Sequence, residues 1–285
     1  MEIITDIPSL RLRLKSEHHV VFVPTMGNLH EGHLSLIRIA KQKSGCLVAS
    51  IFVNRLQFGQ DEDFDKYPRT LVDDLKLLEN DGVDVVFVPA EEDIYPVHQE
   101  FVIEPLPLAN ILEGEFRPGF FSGVATLVLK LFNIVQPQLV IFGKKDYQQL
   151  CTMREMVHQL NLSIEIGEGE TVRASDGLAL SSRNRFLSSE ERIEAPYLFK
   201  VLSTIKKEIE AGEQGFKKLQ DIAKETLNNR GWEIEYISLR KKHTLAMPQF
   251  NDRDLIVLGA AKLGTTRLID NLEINCKNLK SPPLI

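Results

Sequence analysis

A chain of 285 residues with 43% hydrophobic and 26% charged residues has an ordinary globular composition and is long enough for two domains. Its net charge of −6 argues against a general nucleic-acid or membrane-surface binder. We expect neither a membrane span nor a secretory signal, since no apolar run approaches roughly 20 residues and no basic segment precedes one. The few, scattered cysteines indicate a reducing compartment, and we expect a cytoplasmic protein; they are Cys46, Cys151 and Cys276.

The first third of the chain alternates between strand and helix patterns. A first helix is expected at 9–17, with Ser9 as a candidate cap. Short, nearly continuous apolar runs then predict buried strands at 20–23, 47–53 and 83–88. Apolar residues at helical spacing predict helices at 33–43 and from Pro68 to about Asp81. This order of elements favours a right-handed, parallel sheet.

The rest of the chain first continues the strand–helix alternation and then changes to helices followed by strands. The pattern continues with a buried helix at 123–135, a strand at 139–142, a helix reaching Leu160 and a short strand at 164–166. A polar stretch at 171–184 suits a site loop and an inter-domain hinge. Helices rich in Lys and Glu follow at 189–212 and 214–229, and then strands at 232–239 and 255–269 with a turn at 264–266, between or within them.

These patterns predict an α/β protein with two domains. Residues 1–175 are expected to form a Rossmann-like, doubly wound parallel sheet that binds the substrates. Residues 176–285 are expected to form a smaller C-terminal α+β domain that closes over the site.

A glycine-bearing turn with two histidines follows the first apolar strand. The segment 24–33 reads PTMGNLHEGH, and His30 and His33 are spaced so that both imidazoles lie on one face of a helix start. The N–H groups and the dipole of a helix N-terminus favour a phosphate. His-x-x-His is also a metal-ligand spacing, and a lone pair of histidines is often only a surface or capping feature. Zinc would need further ligands and no cluster of Cys or His stands nearby, so phosphate binding is preferred over metal binding. The metalloprotease motif His-Glu-x-x-His is absent.

Three loops follow three strands that are expected to be parallel: 24–33, 54–58 and 143–149. Ligand sites of open α/β sheets form at such strand ends, so these loops should converge. Lys145 in the third loop can hold phosphate as a compact charge, and Arg183 can do so with two donors. Neither a Walker A motif nor GxGxxG is present, so a P-loop and a standard dinucleotide site are not supported.

Several further residues have two interpretations that the sequence leaves open. Gln57 and Gln149 at strand ends could cap loops or contact a substrate. Asp73 and Asp74 could approach magnesium bound to phosphates, or could form a solvated helix face. The segment 117–123 could be a lid or a structural turn.

At this point the sequence resembles the pantothenate synthetase (pantoate–β-alanine ligase) family. The family belongs to a nucleotidyltransferase superfamily with a HIGH-type phosphate motif, of which residues 30–33 are the form here. The matching stretches cover the first two thirds of the chain in the family's order: PTMGNLHEGH at 24–33, FVNRLQF at 52–58, YPRT with DD at 67–74, RPGFFSGV at 117–124, FGKKDYQQ at 142–149 and TVRASDGLALSSRN at 171–184. Three residues depart from the family's usual pattern: Arg55 after the asparagine, Phe120 and Leu180.

The resemblance implies an ATP-dependent condensation of pantoate with β-alanine through a pantoyl adenylate. It implies catalytic roles for His30, His33, Lys145 and Arg183, with His33 as proton donor, and pantoate contacts for Gln57 and Gln149. It also implies magnesium bound with the ATP phosphates, near Asp73 and Asp74. Members of the family are cytoplasmic homodimers, so the same is expected of this chain. The implied ATP contacts are Met26, Gly27, Asn28, Leu29, His30, Glu31, Gly32, His33, Gly143, Lys144, Lys145, Asp146, Val172, Leu180, Ser181, Ser182 and Arg183.

Two rival functions stay open at this stage. A nucleotidyltransferase with the same motif would leave AMP on its product, so release of AMP distinguishes it. A catalytically silent nucleotide-binding protein would not consume ATP, and the presence of His30, His33, Lys145 and Arg183 argues against it.

Overall fold

The structure, a computed structural model, describes residues 1–59, 64–249 and 251–276. These residues fold into two compact units. The first unit comprises 1–144 and 148–172, and the second comprises 145–147 and the described residues from Arg173 onward. The chain therefore leaves the first unit three residues before residue 175, and a short segment around Lys145 packs with the second unit.

The described part of the first unit contains a six-stranded sheet and seven α-helices. Its strands are β1 (Glu2–Ile4), β2 (Val20–Thr25), β3 (Cys46–Ile51), β4 (Val85–Phe87), β5 (Leu139–Gly143) and β6 (Glu165–Gly169). Its helices are α1 (Ile7–Leu14), α2 (Glu31–Lys41), α3 (Leu71–Asn80), α4 (Glu91–Ile94), α5 (Glu113–Phe116), α6 (Phe120–Val135) and α7 (Tyr147–Gln159), the first residue of α7 packing with the second unit. All the strand pairs are parallel, in the order β1-β4-β3-β2-β5-β6.

Helices cover both faces of this sheet because successive strand residues point to opposite sides. Val20 and Phe22 of β2 pack in one core with α1, α6 and α7, whereas Val21 and Val23 pack in another with α2 and α3. The prediction of a doubly wound parallel sheet is thus confirmed. The central strand β2 lies between β3 and β5, and sheets of this kind bind ligands where the strand order reverses.

Two details of the first residues differ from the predictions. The strand β1 was not expected: it has three residues, none of them fully buried, and so lacks the apolar run that marks an inner strand. Ser9 is not the cap of α1. The cap is Asp6, whose carboxylate accepts a hydrogen bond from the Ser9 N–H at 2.8 Å, because Pro8 lacks an N–H and suits the first turn of a helix.

The described part of the second unit combines a three-stranded antiparallel sheet with three α-helices, which confirms the predicted α+β class. Its elements are α8 (Ser189–Glu194), α9 (Tyr197–Glu210), α10 (Phe216–Asn228), β7 (Trp232–Lys241), β8 (Asp254–Leu263) and β9 (Thr266–Asn275). The strand order is β7-β8-β9, and α9 and α10 contribute to the core that lies against the sheet.

The single helix expected at 189–212 is wrong, because two helices stand there. Pro196 lies between α8 and α9, directly before Tyr197, and a proline cannot continue the hydrogen-bond ladder of the preceding helix. The turn at 264–266 falls between two strands rather than within one. Within the described residues, no helix has both the length and the apolar character needed to cross a bilayer.

Candidate active site

The turn that follows β2 is held by a buried carboxylate. Gly27 and Asn28 both have positive φ, of 77° and 51°, so the chain bends sharply over two residues. Asp74 is 2% exposed and accepts hydrogen bonds from the N–H groups of Asn28 (2.9 Å) and Leu29 (2.7 Å) and from the Thr70 hydroxyl (3.1 Å). A Cβ on Gly27 would stand 3.0 Å from the same carboxylate, so glycine lets Asp74 approach.

The two histidines cap helix α2 with their own rings. His30 Nδ1 accepts a hydrogen bond from the Gly32 N–H at 3.1 Å, and His33 Nδ1 accepts one from the His30 N–H at 3.3 Å. The ring centroids lie 4.1 Å apart. Because each Nδ1 is an acceptor, the neutral rings carry their proton on Nε2. Two Nε2–H donors thus stand together at a helix N-terminus, an arrangement suited to phosphate oxygens.

Two of the predicted ATP contacts use their side chains in ion pairs of the first unit. The Glu31 carboxylate pairs with Arg38 on the same helix. Lys144 is 7% exposed, and its ammonium pairs with Glu168 (3.1 Å) and Glu170 (2.5 Å). Although burial opposes it, hydrogen bonds from Arg154 and Lys144 lower the pKa of Glu168.

Gln57 belongs to a chain of hydrogen bonds that links two buried amides and a half-buried phenol. The Tyr95 hydroxyl donates to Asn54 Oδ1 at 2.8 Å, and Asn54 Nδ2 donates to Gln57 Oε1 at 3.1 Å. Gln57 Nε2 in turn points to Met26 Sδ at 3.0 Å. Burial raises the pKa of the Tyr95 phenol, so this group stays a donor. The amide of Gln57 consequently presents its NH₂ toward the turn after β2, and neither Asn54 nor Tyr95 was identified from the sequence.

The segment 117–123 forms the turn between α5 and α6 and the first residues of α6. The Arg117 guanidinium lies 3.7 Å from the centre of the Phe120 ring and donates to the Gln57 carbonyl at 3.3 Å. A Cβ on Gly123 would stand 2.1 Å from the Leu56 carbonyl oxygen, so glycine is what lets α6 touch the turn that carries Gln57. The structure therefore places a turn here, and a lid role for this segment stays a prediction.

Gln149 lies on the other side of β2, on the first turn of α7 after β5, and is half-buried. Its neighbour Gln148 is the structural glutamine: its NH₂ donates to the carbonyls of Leu108 (2.7 Å) and Ile111 (2.8 Å), and its oxygen accepts from the Glu113 N–H (3.1 Å). Gln57 follows β3 and Gln149 follows β5, so these glutamines flank the turn of residues 24–33 after β2, here called the histidine turn, at one edge of the sheet.

The remaining predicted ATP contacts divide between the two units. Gly143 and Val172 belong to the first unit, and Lys145, Asp146 and the stretch 180–183 belong to the second. Ser182 and Arg183 lie in a 3-10 turn, Ser182–Phe186, capped by Ser181, whose hydroxyl accepts from the Arg183 N–H at 3.3 Å. Leu180 and Arg183 are half-buried.

The two predicted magnesium ligands have different environments. Both oxygens of Asp74 accept hydrogen bonds from the turn. The Asp73 side chain is 77% exposed and lies 3.4 Å from Lys76 Nζ. Among the described residues, no group of three or more His, Cys, Asp or Glu side chains could hold a metal ion.

Known proteins of one family match this chain along nearly its whole length. A family model described as pantoate-beta-alanine ligase matches residues 2–273. The pantothenate synthetase of Nitrosospira multiformis is 62% identical over 97% of this chain and 99% of its own length, and that of Nitrosomonas europaea is 57% identical over 95% and 98%.

Solved structures show the same similarity in three dimensions. The pantothenate synthetase of Thermus thermophilus superimposes with a TM-score of 0.90 at 40% identity, covering 96% of this chain and all of that one. The pantoate-beta-alanine ligase of Francisella tularensis, in complex with beta-gamma ATP and beta-alanine, gives a TM-score of 0.80 at 35% identity, covering 95% and 97%.

The parallel sheet and its strand-order reversal at β2 define a protein of the Rossmann-like α/β class. The family match and the identities above make this more specific. The chain belongs to the pantoate-beta-alanine ligase family. It is accordingly a ligase that joins pantoate to β-alanine.

Proposed function

We propose that the chain condenses pantoate with β-alanine in two chemical steps at the edge of the sheet around β2. In the first step, a pantoate carboxylate oxygen attacks the α-phosphorus of ATP, and the bond to the bridging oxygen breaks to release pyrophosphate. In the second, the β-alanine amine attacks the acyl carbon of the pantoyl adenylate. The bond from that carbon to the AMP oxygen breaks, the amine loses a proton, and pantothenate and AMP leave.

The observation that carries this proposal is the pair of Nε2–H donors at the start of α2, beside the ordered Gln57 amide. Negative charge grows on the phosphates as pyrophosphate departs, and pre-organised donors stabilise it without reorganisation. We assign this role to His30, His33, Lys145 and Arg183, with His33 as proton donor. The Francisella tularensis relative in complex with beta-gamma ATP and beta-alanine supports the choice of ATP and amine.

Gln57 and Gln149 are proposed to hold pantoate from opposite sides of the histidine turn. An amide offers a donor and an acceptor, and pantoate carries a carboxylate and hydroxyl groups that need both. The fixed NH₂ of Gln57 suits the carboxylate in particular. Main-chain groups of 26–33, 143–146, Val172 and 180–183 complete the proposed ATP contacts.

Magnesium is proposed to accompany the ATP phosphates, where it would offset their charge. Of the two aspartates named for it, Asp73 has an accessible side chain, whereas Asp74 orders the turn. The residues of this chain therefore contribute at most one carboxylate from that pair.

We also propose a homodimer in a reducing compartment, the cytoplasm. Support for the dimer is the exposed apolar segment from 97 to 106, in which Val97 is 76%, Phe101 88% and Leu106 60% exposed. Support for the compartment is that Cys46, Cys151 and Cys276 are all unpaired and buried. Sedimentation of the protein, and of a Phe101→Asp variant, tests the dimer.

The decisive experiment is exchange of labelled pyrophosphate into ATP, with and without pantoate, followed by product analysis after addition of β-alanine. We expect exchange only with pantoate, and AMP with pantothenate as products. Release of ADP and phosphate would show an acyl phosphate instead. AMP retained on the product would indicate the nucleotidyltransferase alternative, and no consumption of ATP would indicate a silent binding protein.

A further inference from the structure

The middle of strand β9 carries two adjacent buried polar residues. Asp270 is 4% exposed and Asn271 6%. Successive strand residues point to opposite faces, so each face of this edge strand holds one polar group removed from water. Burial of such groups is unfavourable unless they are hydrogen-bonded, and their partners therefore indicate what the strand is built to hold.

Asn271 is bonded to the main chain of Lys145. Its Nδ2 donates to the Lys145 carbonyl oxygen at 2.8 Å, across 126 residues of sequence. Lys145 packs with the second unit although Lys144 and Gln148 on either side belong to the first. The Asn271 amide is thus a specific restraint on the main chain from which the Lys145 ammonium extends.

Asp270 is bonded to the loop that leads to Arg183. Its two carboxylate oxygens accept from Arg173 at 2.6 and 2.8 Å, in the bidentate geometry that gives the strongest pairs. The same guanidinium donates to the Gly177 carbonyl at 3.1 Å and lies 4.3 Å from the centre of the Phe199 ring. The orientation of the Arg173 guanidinium is therefore fixed, and its charge is paired with a carboxylate.

The loop from 173 to 184 is closed on itself beyond this pair. Arg173 and Ala179 form an isolated antiparallel bridge, and the Asn184 side chain donates to the Ala179 carbonyl at 3.0 Å. The turn Ser182–Phe186, which contains Arg183, also contacts β9. One strand thus restrains the main chain at Lys145 and the loop that ends at Arg183.

We infer that Asn271 and Asp270 are positioning residues for phosphate stabilisation: Asn271 sets the main chain of Lys145, and Asp270, through Arg173, sets the loop of Arg183. The inference rests on the proposed function, which gives Lys145 and Arg183 to the ATP phosphates. Pre-organisation of charged groups is what makes them effective during a reaction, so the restraint matters for adenylate formation. It matters less once pyrophosphate has left.

The test is a pair of double-mutant cycles read in single-turnover experiments. One experiment mixes enzyme with ATP and pantoate, and the other supplies pantoyl adenylate and β-alanine. Asn271→Ala should slow adenylate formation about tenfold, the loss expected for one hydrogen bond of ordinary strength, and amide formation less than about threefold. In a Lys145→Ala background the same change should slow adenylate formation less than about twofold, because its route of action is gone.

The second cycle pairs Arg173→Lys with Arg183→Ala. Lysine keeps the charge but loses the bidentate geometry, so adenylate formation should slow in the native background and change little without Arg183. Glu235→Gln is the matched control, because it weakens another bidentate pair, in which Arg267 of β9 donates to the two carboxylate oxygens of Glu235 on β7 at 3.1 and 2.6 Å. It should change thermal stability and leave the ratio of the two steps as it is.

Several outcomes would overturn the inference. Additive effects in both cycles, equal slowing of the two steps, or native rates in folded Asn271→Ala protein would each show that β9 has no positioning role. If Asn271→Ala does not fold, Asn271→Ser, which keeps a hydroxyl donor, replaces it in the same cycle. Absence of pantoate-dependent pyrophosphate exchange in the native enzyme would instead refute the proposed function itself.

Discussion

The histidine turn and the Gln57 turn lie at neighbouring strand ends, yet they are held in different ways. The histidine turn is fixed through its main chain: a carboxylate binds two consecutive N–H groups, and the two imidazoles cap the helix behind them. The Gln57 turn is fixed through a side-chain relay from Tyr95 to Asn54 to Gln57, with helix α6 pressed against it at Gly123.

The difference predicts how each turn responds to damage. Main-chain donors cannot turn toward new partners without moving the whole segment, so loss of Asp74 should disturb both of its N–H partners in the histidine turn together. A relay of side chains can lose one member and keep the rest, so changes along it should be graded. The first turn should therefore control the ATP step, and the second should control pantoate affinity.

Asp74→Asn should give the largest effect. The amide places an NH₂ group against main-chain N–H donors, and each donor left unpaired when buried costs about 1–3 kcal/mol. We expect the free energy of unfolding to fall by about 2–4 kcal/mol and adenylate formation to slow about a hundredfold. Urea unfolding and single-turnover kinetics measure the two effects.

Asp73→Asn is the control for that variant, because it changes the neighbouring carboxylate, whose side chain is 77% exposed. Stability should be unchanged within about 0.5 kcal/mol. A shift of the magnesium dependence in Asp73→Asn alone would support a metal contact at Asp73. A shift in Asp74→Asn without loss of stability would contradict the structural role given to Asp74.

Gly123→Ala should give the next largest effect, and it acts on the other turn. The new Cβ would meet the Leu56 carbonyl oxygen at 2.1 Å, so α6 and the Gln57 turn must separate. Overpacking of this kind costs about 1–3 kcal/mol. We expect the KM for pantoate to rise at least about tenfold while the KM for ATP changes less than about threefold. Ser122→Ala, on the same helix turn, is the control, and an equal rise in both KM values would erase the distinction between the turns.

Tyr95→Phe removes one hydroxyl from the far end of the relay. Asn54 Oδ1 loses its 2.8 Å bond from the phenol but keeps the Leu56 N–H at 3.3 Å, so the expected loss is about 1 kcal/mol. The KM for pantoate should rise about fivefold at constant KM for ATP. A lower kcat with an unchanged pantoate KM would mean that the relay acts on chemistry and not on binding.

The residues of the candidate site that the sequence could single out are those whose signal is local. The spacing of His30 and His33, the strand before them and Lys145 after a later strand all lie within a few residues of their context. The missed residues act over long separations: 41 residues from Tyr95 to Asn54, 69 from Asn54 to Gly123 and 126 from Asn271 to Lys145. No periodicity reports such pairs.

Asp74 shows the same limit of sequence-based prediction, because its distant partners suggest a different role from its sequence neighbours. Its position beside Asp73 suggests a magnesium pair, since both are carboxylates at a helix start. Only the fold reveals that a strand-end turn 46 residues away supplies two N–H groups to the second of them. The fold class itself was predictable because buried parallel strands are almost continuously apolar, whereas the edge strand β1 is not.

The smallest effect is predicted for an ordinary ion pair outside both turns, between Glu194 and Arg230 of the second unit. Two hydrogen bonds of 2.7 Å join them, and the side chains are 22% and 35% exposed. Hydrogen bonds from Arg230 lower the pKa of Glu194 below its ordinary value of 4.5. Partial burial opposes this shift, and a hydrogen bond from Trp232 adds to it. A lowered carboxyl pKa stabilises the folded state above pH 4.5, and this contribution is lost as the pH falls through the folded-state pKa.

Glu194→Gln should therefore lower the free energy of unfolding by about 0.5–1 kcal/mol at pH 7, and the difference from the native protein should shrink in acid. Urea unfolding of both proteins from pH 7 to pH 3 measures it. A difference that stays constant with pH would show that Glu194 acts by packing against Trp232 rather than by its charge, and a loss as large as that of Asp74→Asn would remove the contrast between a buried turn and a surface pair.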